Sequence, residues 1–181
     1  MKHYAFIKDG KFIGVGQAKT LDNDINNVEI TKEFFDECVS EPKKYSYSDG
    51  KFVLNPNFID ELKTAKLAEV DQWTASKITG GFLSGGVRYD SDMDTQTTMQ
   101  GIALNVNTER FATDYPHGIP VRGYDEGATE KTIHYLTSEE VLMFCADLSE
   151  HIGRCKLDGW TMQQAVLEAS SKEELDNIQL D

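Results

Sequence analysis

The sequence predicts an α+β fold: a small N-terminal hairpin-helix-hairpin (ββαββ) module over residues 1–56, then a mainly helical domain over residues 57–181 with a central glycine-rich β-hairpin. Three observations predict it. The word Asp9-Gly10-Lys11-Phe12-Ile13 returns as Asp49-Gly50-Lys51-Phe52-Val53, and each copy joins aromatic and β-branched runs through a two-residue hairpin turn. Asn55-Pro56-Asn57 then breaks the second ribbon and opens an uninterrupted run of helix formers. Last, the stretch Ile78 to Asn107 carries Gly80-Gly81 and Gly85-Gly86 around Phe82-Leu83-Ser84, followed by Val87-Arg88-Tyr89 and a helical pattern.

In chain order, Tyr4 to Lys8 and Lys11 to Val15 are the strands of the first hairpin. A polar loop is expected around Leu21 to Asn27. Thr31 then caps a short helix through Phe34, Phe35 and Cys38 that ends at Pro42. Tyr45 to Leu54 forms the second hairpin. Its likeness to the first follows from the turn chemistry of Asp-Gly, so duplication is the minority reading. From Phe58 to Ile78, apolar residues spread around more than one helix face, so this helix is contacted from several sides, by its own domain or by another copy.

Asp90, Asp92 and Asp94 alternate as in the opening of a calcium loop, but the sixth and twelfth positions of such a loop hold Thr95 and Gly101. Ser91, Asp92 or Asp94 instead caps the helix of Met99, Ile102, Ala103 and Val106, since a cap needs only one short acceptor. Phe111 to Gly127 reads as a long loop or a pair of irregular strands, whose aromatics more often pin such a loop to its own core, with Tyr115 and Tyr124 the candidate contacts to a partner or a glycan. Lys131 to Leu136 is a short strand. Thr137 with Glu140 makes a capping box and Leu136 staples onto Val141. That helix, with Val141, Cys145, Leu148, Ile152 and Cys155 on one stripe, is expected to end near Gly153 to Gly159. Thr161 with Gln164 and Ser171 with Glu174 start two further short helices, with Trp160 stapling the first.

Composition narrows the function classes. Among 181 residues, 31 acidic and 18 basic side chains give a net charge of −13, which argues against a nucleic-acid or anionic-membrane surface. Three cysteines, Cys38, Cys145 and Cys155, form no CxxC pair and signal neither a disulfide scaffold nor a zinc ribbon. His151 and Cys155 stand four apart, but Cys155 lies on the apolar stripe and no second ligand pair has suitable spacing, so no metal and no cofactor are expected. No run approaches the ~20 apolar residues of a membrane span, and MKHYAFIKDGKF lacks a long apolar core, so a soluble chain not secreted by a cleaved signal is expected. Enzyme motifs such as GxSxG, the Walker loop, GxGxxG and HExxH are missing. A pair such as His134 or His117 with Asp114 or Asp125 carries little specificity, and no catalytic residue is assigned.

The segment Leu62 to Leu180 resembles a domain of uncharacterised function found in tailed-phage tail-fibre and tail-fibre-assembly reading frames. The features that carry the resemblance are the helix ahead of the Gly80 to Gly86 hairpin, Val87-Arg88-Tyr89, Gln96, the Leu136-Thr137 helix start, His151 and the closing Ala169 to Leu175 with Ile178. The N-terminal module is similar to the leading segment of small phage tail and baseplate proteins. The resemblance implies a non-enzymatic virion-tail protein, made in the host cytoplasm, that acts by contact with a tail-fibre or baseplate protein. A tail-fibre assembly chaperone and a glycan-binding receptor module are the alternatives, and self-association into a homo-oligomer fits the first reading.

Overall fold

The computed structural model of the chain describes residues 1–18 and 26–180. It is an α+β protein of two compact units, Met1–Thr64 and Ala65–Asp181.

In the first unit, β1 (Lys2–Lys8) pairs antiparallel with β2 (Lys11–Ala18) and with β3 (Asn26–Ile30), and β4 (Tyr45–Ser48) pairs with β5 (Lys51–Leu54). Both expected hairpins are present. Asp9 and Gly10 (φ 51° and 71°) and Asp49 and Gly50 (φ 50° and 78°) adopt the same doubly left-handed turn, which matches the twist of the strands it joins. Strand β3 corrects the expected polar loop. Asn26 and Asn27 are already paired with Ile7 and Phe6, while Leu21 to Ile25 lie outside the described residues. Two asparagines hide a strand whose partner, not its own propensity, sets its conformation. Between the sheets, α1 (Lys32–Ser40) starts at Thr31, whose hydroxyl accepts from Phe34 N–H, and buries Cys38. Phe34 then meets Tyr45 and Phe52 with ring centroids 4.8 and 5.0 Å apart, so the interior of this unit is built of aromatic rings.

Helix α2 (Phe58–Thr79) begins directly after Asn55-Pro56-Asn57, as expected, and carries the chain into the second unit. There β6 (Phe82–Ser84), β7 (Val87–Tyr89), β8 (Ile119–Tyr124) and β9 (Thr132–Leu136) form an antiparallel sheet in chain order. The central hairpin is therefore half of a four-stranded sheet. Helices α3 (Met93–Ala103) and α4 (Glu109–Asp114) connect β7 to β8, and α5 (Ser138–Glu168) and α6 (Lys172–Asp176) follow. Phe144 of α5 is fully buried between Phe82 and Tyr89, each at 4.9 Å, and Met99, Val106, Phe111, Ile119, Leu136 and Leu148 complete that core.

Several caps fall where the residues place them: Asp92 for α3, Thr137 with Glu140 for α5 and Ser171 for α6. Three expectations are corrected. Phe111 to Gly127 holds most of α4, capped by Thr108, and one regular strand, β8, in place of a long loop or a pair of irregular strands. Helix α5 does not stop near Gly153 to Gly159 but runs for 31 residues, and Thr161 starts no helix of its own. Trp160, inside α5 and 62 % exposed, staples nothing. The reason lies at Gly159, where a Cβ would stand 2.3 Å from Thr74 Oγ1. This glycine brings two helices together and does not end one. Among the described residues no helix is long and apolar enough to cross a membrane.

Candidate functional site

Strands β6 to β9 present two faces by simple alternation, and the candidate site follows from what each face carries. Phe82, Ser84, Val87, Tyr89, Ile119, Val121, Gly123, His134 and Leu136 point toward α5, and most of them are buried. Leu83, Arg88, Pro120, Arg122, Tyr124, Ile133 and Tyr135 point the other way.

The outer residues form cross-strand rows. Leu83 stands opposite Arg88 and Arg88 opposite Tyr124, Arg122 opposite Ile133, and Pro120 opposite Tyr135. Leu83, Ile133 and Tyr135 are 68, 59 and 58 % exposed, so among the described residues no other element of the second unit covers them. The Arg88 guanidinium lies over the Tyr124 ring at 4.7 Å and Lys131 Nζ approaches the same ring at 5.3 Å, while Lys131 is also ion-paired with Asp90. None of the outer strand positions carries a carboxylate, although the chain bears 31 acidic residues. Two of its four arginines stand here, beside two tyrosines. A hollow of about 470 Å³ between Leu83, Arg88, Tyr124 and the Asp125-Glu126-Gly127 turn continues the face at one end.

The inner face holds a second concavity, about 460 Å³, lined by Ser84, Tyr89, His134, Glu140 and Met143 among others. Here the structure brings together one pair that the sequence left open. His134 Nε2 lies 3.7 Å from Asp125 Oδ1, and Thr132 Oγ1 stands between them, 2.8 Å from Asp125 Oδ2 and 2.9 Å from His134 Nε2. With the hydroxyl proton given to the carboxylate, the imidazole must donate to the hydroxyl oxygen. That polarity is opposite to the one that activates a nucleophile, and it ties β9 to the turn before it. Burial, reinforced by the Glu140 and Asp125 carboxylates, raises the Tyr89 phenol above its ordinary value and keeps it protonated. Glu140 is committed elsewhere: its Oε2 accepts from Thr137 N–H and Oγ1, both at 2.8 Å, and these bonds hold its carboxyl below the usual range. Asp114 is held by Arg110 within α4, and His117 is exposed.

Tyr115 and Tyr124 flank β8 at its two ends in the chain. Tyr115 closes α4 against Phe111 before β8 begins, whereas Tyr124 ends β8, and the strand alone spans about 17 Å. Among the described residues no three His, Cys, Asp or Glu side chains converge as metal ligands. His151 Nε2 instead reaches the terminal carbonyls of α2, at 3.1 Å from Lys77 O and 3.3 Å from Ile78 O, with Cys155 Sγ 3.8 Å away. Fully buried Ser91 serves the same helix end: its hydroxyl donates to Ile78 O and accepts from Gly81 N–H, and Gln96 Nε2 donates to Ser91 O at 2.7 Å. Ser91, Gln96 and His151 thus fasten the hairpin, α3 and α5 to the end of α2.

Residues 61–179 match the family described as "Domain of unknown function (DUF4376)", and the chain belongs to that family. The match covers the second unit almost entirely. No curated protein and no solved structure matches the chain.

Proposed function

We propose that this chain is a non-enzymatic adaptor that binds a protein partner through the outer face of the β6 to β9 sheet. The observation that carries the reading is the composition of that face. Arginine and tyrosine among exposed Leu83, Ile133 and Pro120, with no carboxylate at the strand positions, is the pattern of a protein-binding surface on an otherwise acidic chain. Its complement is an apolar surface bearing carboxylates, which Arg88 and Arg122 can pair. The inner concavity supports the non-enzymatic part, since its carboxylate caps a helix and its imidazole serves as a donor.

The sequence resemblance supports placing the adaptor in the tail of a bacteriophage, with a tail-fibre or baseplate protein as the partner. The same face suits an assembly chaperone, and mass spectrometry of purified particles separates the two, because a structural component is retained and a chaperone is lost. The glycan reading is less well served. Arg88 and Lys131 already occupy the surroundings of the Tyr124 ring, and Tyr115 lies beyond the far end of the strand.

The test is co-expression with the neighbouring fibre protein, comparing the native chain with Arg122→Glu/Tyr135→Ala. The expected result is at least about a tenfold weaker complex, the scale of losing one central contact, with an unchanged melting temperature. A complex of unchanged affinity would show that the partner sits elsewhere.

A further inference from the structure

The half of α5 beyond Gly153 carries a second exposed apolar surface, distinct from the sheet. Its buried residues, Cys155, Gly159 and Val166, lie on one side of the helix. At about 100° per residue, Leu157, Trp160, Gln164 and Leu167 fall about 100° to 180° around the helix from the centre of that side. Leu157, Trp160 and Leu167 are 60, 62 and 55 % exposed, although an amphipathic helix ordinarily gives the side away from the core to charged residues. The intervals of three, four and three residues are those of a helix-pairing seam.

We propose that this seam is an isologous dimer interface in which α5 pairs antiparallel with α5 of a second copy about a two-fold axis near Met162. Three features favour another copy as the occupant. First, the surface carries both a knob and a hole. Beside Trp160 lies a shallow hollow of about 470 Å³ formed with Thr161, Gln164, Ala165 and Glu168, whose small or flexible side chains leave room for an indole. A two-fold axis seats each Trp160 in the other copy's hollow, against Gln164. Second, the same axis sets Leu157 against Leu167 of the second copy, closing an apolar row on both sides of the indoles. Third, the flanking charges are complementary. Arg154, 75 % exposed and, among the described residues, paired along its own helix with Glu150, comes opposite Glu168 of the second copy, and the symmetry makes this pair twice. Both residues flank the seam on the same side, and that side meets its own equivalent only in an antiparallel pair, so the Arg154–Glu168 contact forms only in the antiparallel arrangement.

Sedimentation velocity over a concentration series, on the full chain, tests the proposal. The native protein is expected at twice its 20.3 kDa chain mass at high concentration, and Trp160→Glu is expected to sediment as a monomer with unchanged circular dichroism. Arg154→Glu and Glu168→Arg, made singly, set like charges together and are expected to weaken the dimer about tenfold or more, whereas the double exchange restores it. A native monomer at every concentration overturns the proposal, as does a dimer indifferent to Trp160→Glu. Single charge variants that weaken association without restoration in the double variant overturn the antiparallel register. Because the sheet face takes no part, loss of the α5 dimer leaves partner capture by Arg122 and Tyr135 measurable on its own.

Discussion

The two faces of the β6 to β9 sheet are made by the same strands, with the same alternation, and they have opposite fates. On the inner face Phe82, Tyr89, Ile119 and Leu136 close on Phe144, so each side chain is fixed by several others. On the outer face Leu83, Ile133 and Tyr135 touch solvent, Leu83 and Ile133 standing opposite Arg88 and Arg122 and Tyr135 opposite Pro120. The difference teaches which residues of this family domain make the fold and which are free to choose a partner. Inner positions answer to volume, whereas outer positions are free of that constraint and, under the proposed function, answer to complementarity with a partner.

The comparison breaks most visibly at Phe144. Phe144→Ala is expected to cost about 3 to 5 kcal/mol in urea unfolding, because Phe82 and Tyr89 both lose the ring they meet edge-on. Tyr135→Ala on the outer face is expected to change stability by less than about 0.5 kcal/mol, with its effect confined to partner binding. Equal losses at both positions would mean that the outer face is covered in the folded protein.

Gly123 sharpens the contrast within one strand. A Cβ there would stand 2.5 Å from Val87 Cγ1 and 2.8 Å from the Tyr89 ring, whereas the neighbouring Arg122 faces outward into solvent. Gly123→Ala is therefore expected to destabilise by about 1 to 3 kcal/mol through overpacking. Val87→Ala in the same chain should recover part of that loss, which a double-mutant cycle measures. Additive effects would place Val87 and Gly123 out of contact.

These same positions explain what could be read from the sequence. Hairpins, caps and the start of α5 were legible because each rests on local chemistry: Asp-Gly turns, Thr31, Asp92, and Thr137 with Glu140. Strand β8 was not, because Pro120 and Gly123 read as breakers. Their reasons are tertiary. Strand β7 pairs with β8 only at Gly123 and Tyr124, so the missing N–H of Pro120 removes no bond to β7, and Gly123 makes room for Tyr89. The length of α5 was hidden likewise by Gly159, whose role appears only when Thr74 lies beside it. Of the candidate residues, Tyr124 does lie on the open face, whereas Arg122, Ile133 and Tyr135 were missed. Alternation along Ile119 to Tyr124 and Thr132 to Leu136 was the available signal, and it is interpretable only once β8 is accepted as a strand.

The smallest effect separates the faces by acid. Glu140 accepts from Thr137 N–H and Oγ1, and its folded-state carboxyl lies below the ordinary 4.5, so the folded chain binds this proton less readily than the unfolded one. The capping contribution, less than about 1 kcal/mol at this exposed helix start, is therefore complete above pH 4.5 and lost as the pH falls through the lower folded value. Glu140→Gln retains an acceptor without the titration, so the native chain is expected to lose its margin over this variant below pH 4.5 in thermal unfolding scans. A constant margin would mean that the carboxylate makes no cap in solution. Asp92, lowered chiefly by the Thr95 N–H, keeps a residual acid sensitivity in the variant. The outer sheet positions carry no carboxylate, and Arg88 and Arg122 stay charged throughout. Acid sensitivity of partner capture that survives Glu140→Gln, exceeds the loss of fold and persists when Asp90, Asp125 and Glu126 at the end of the face are replaced by their amides is then expected to come from carboxylates on the partner, which is the charge the sheet face is proposed to seek.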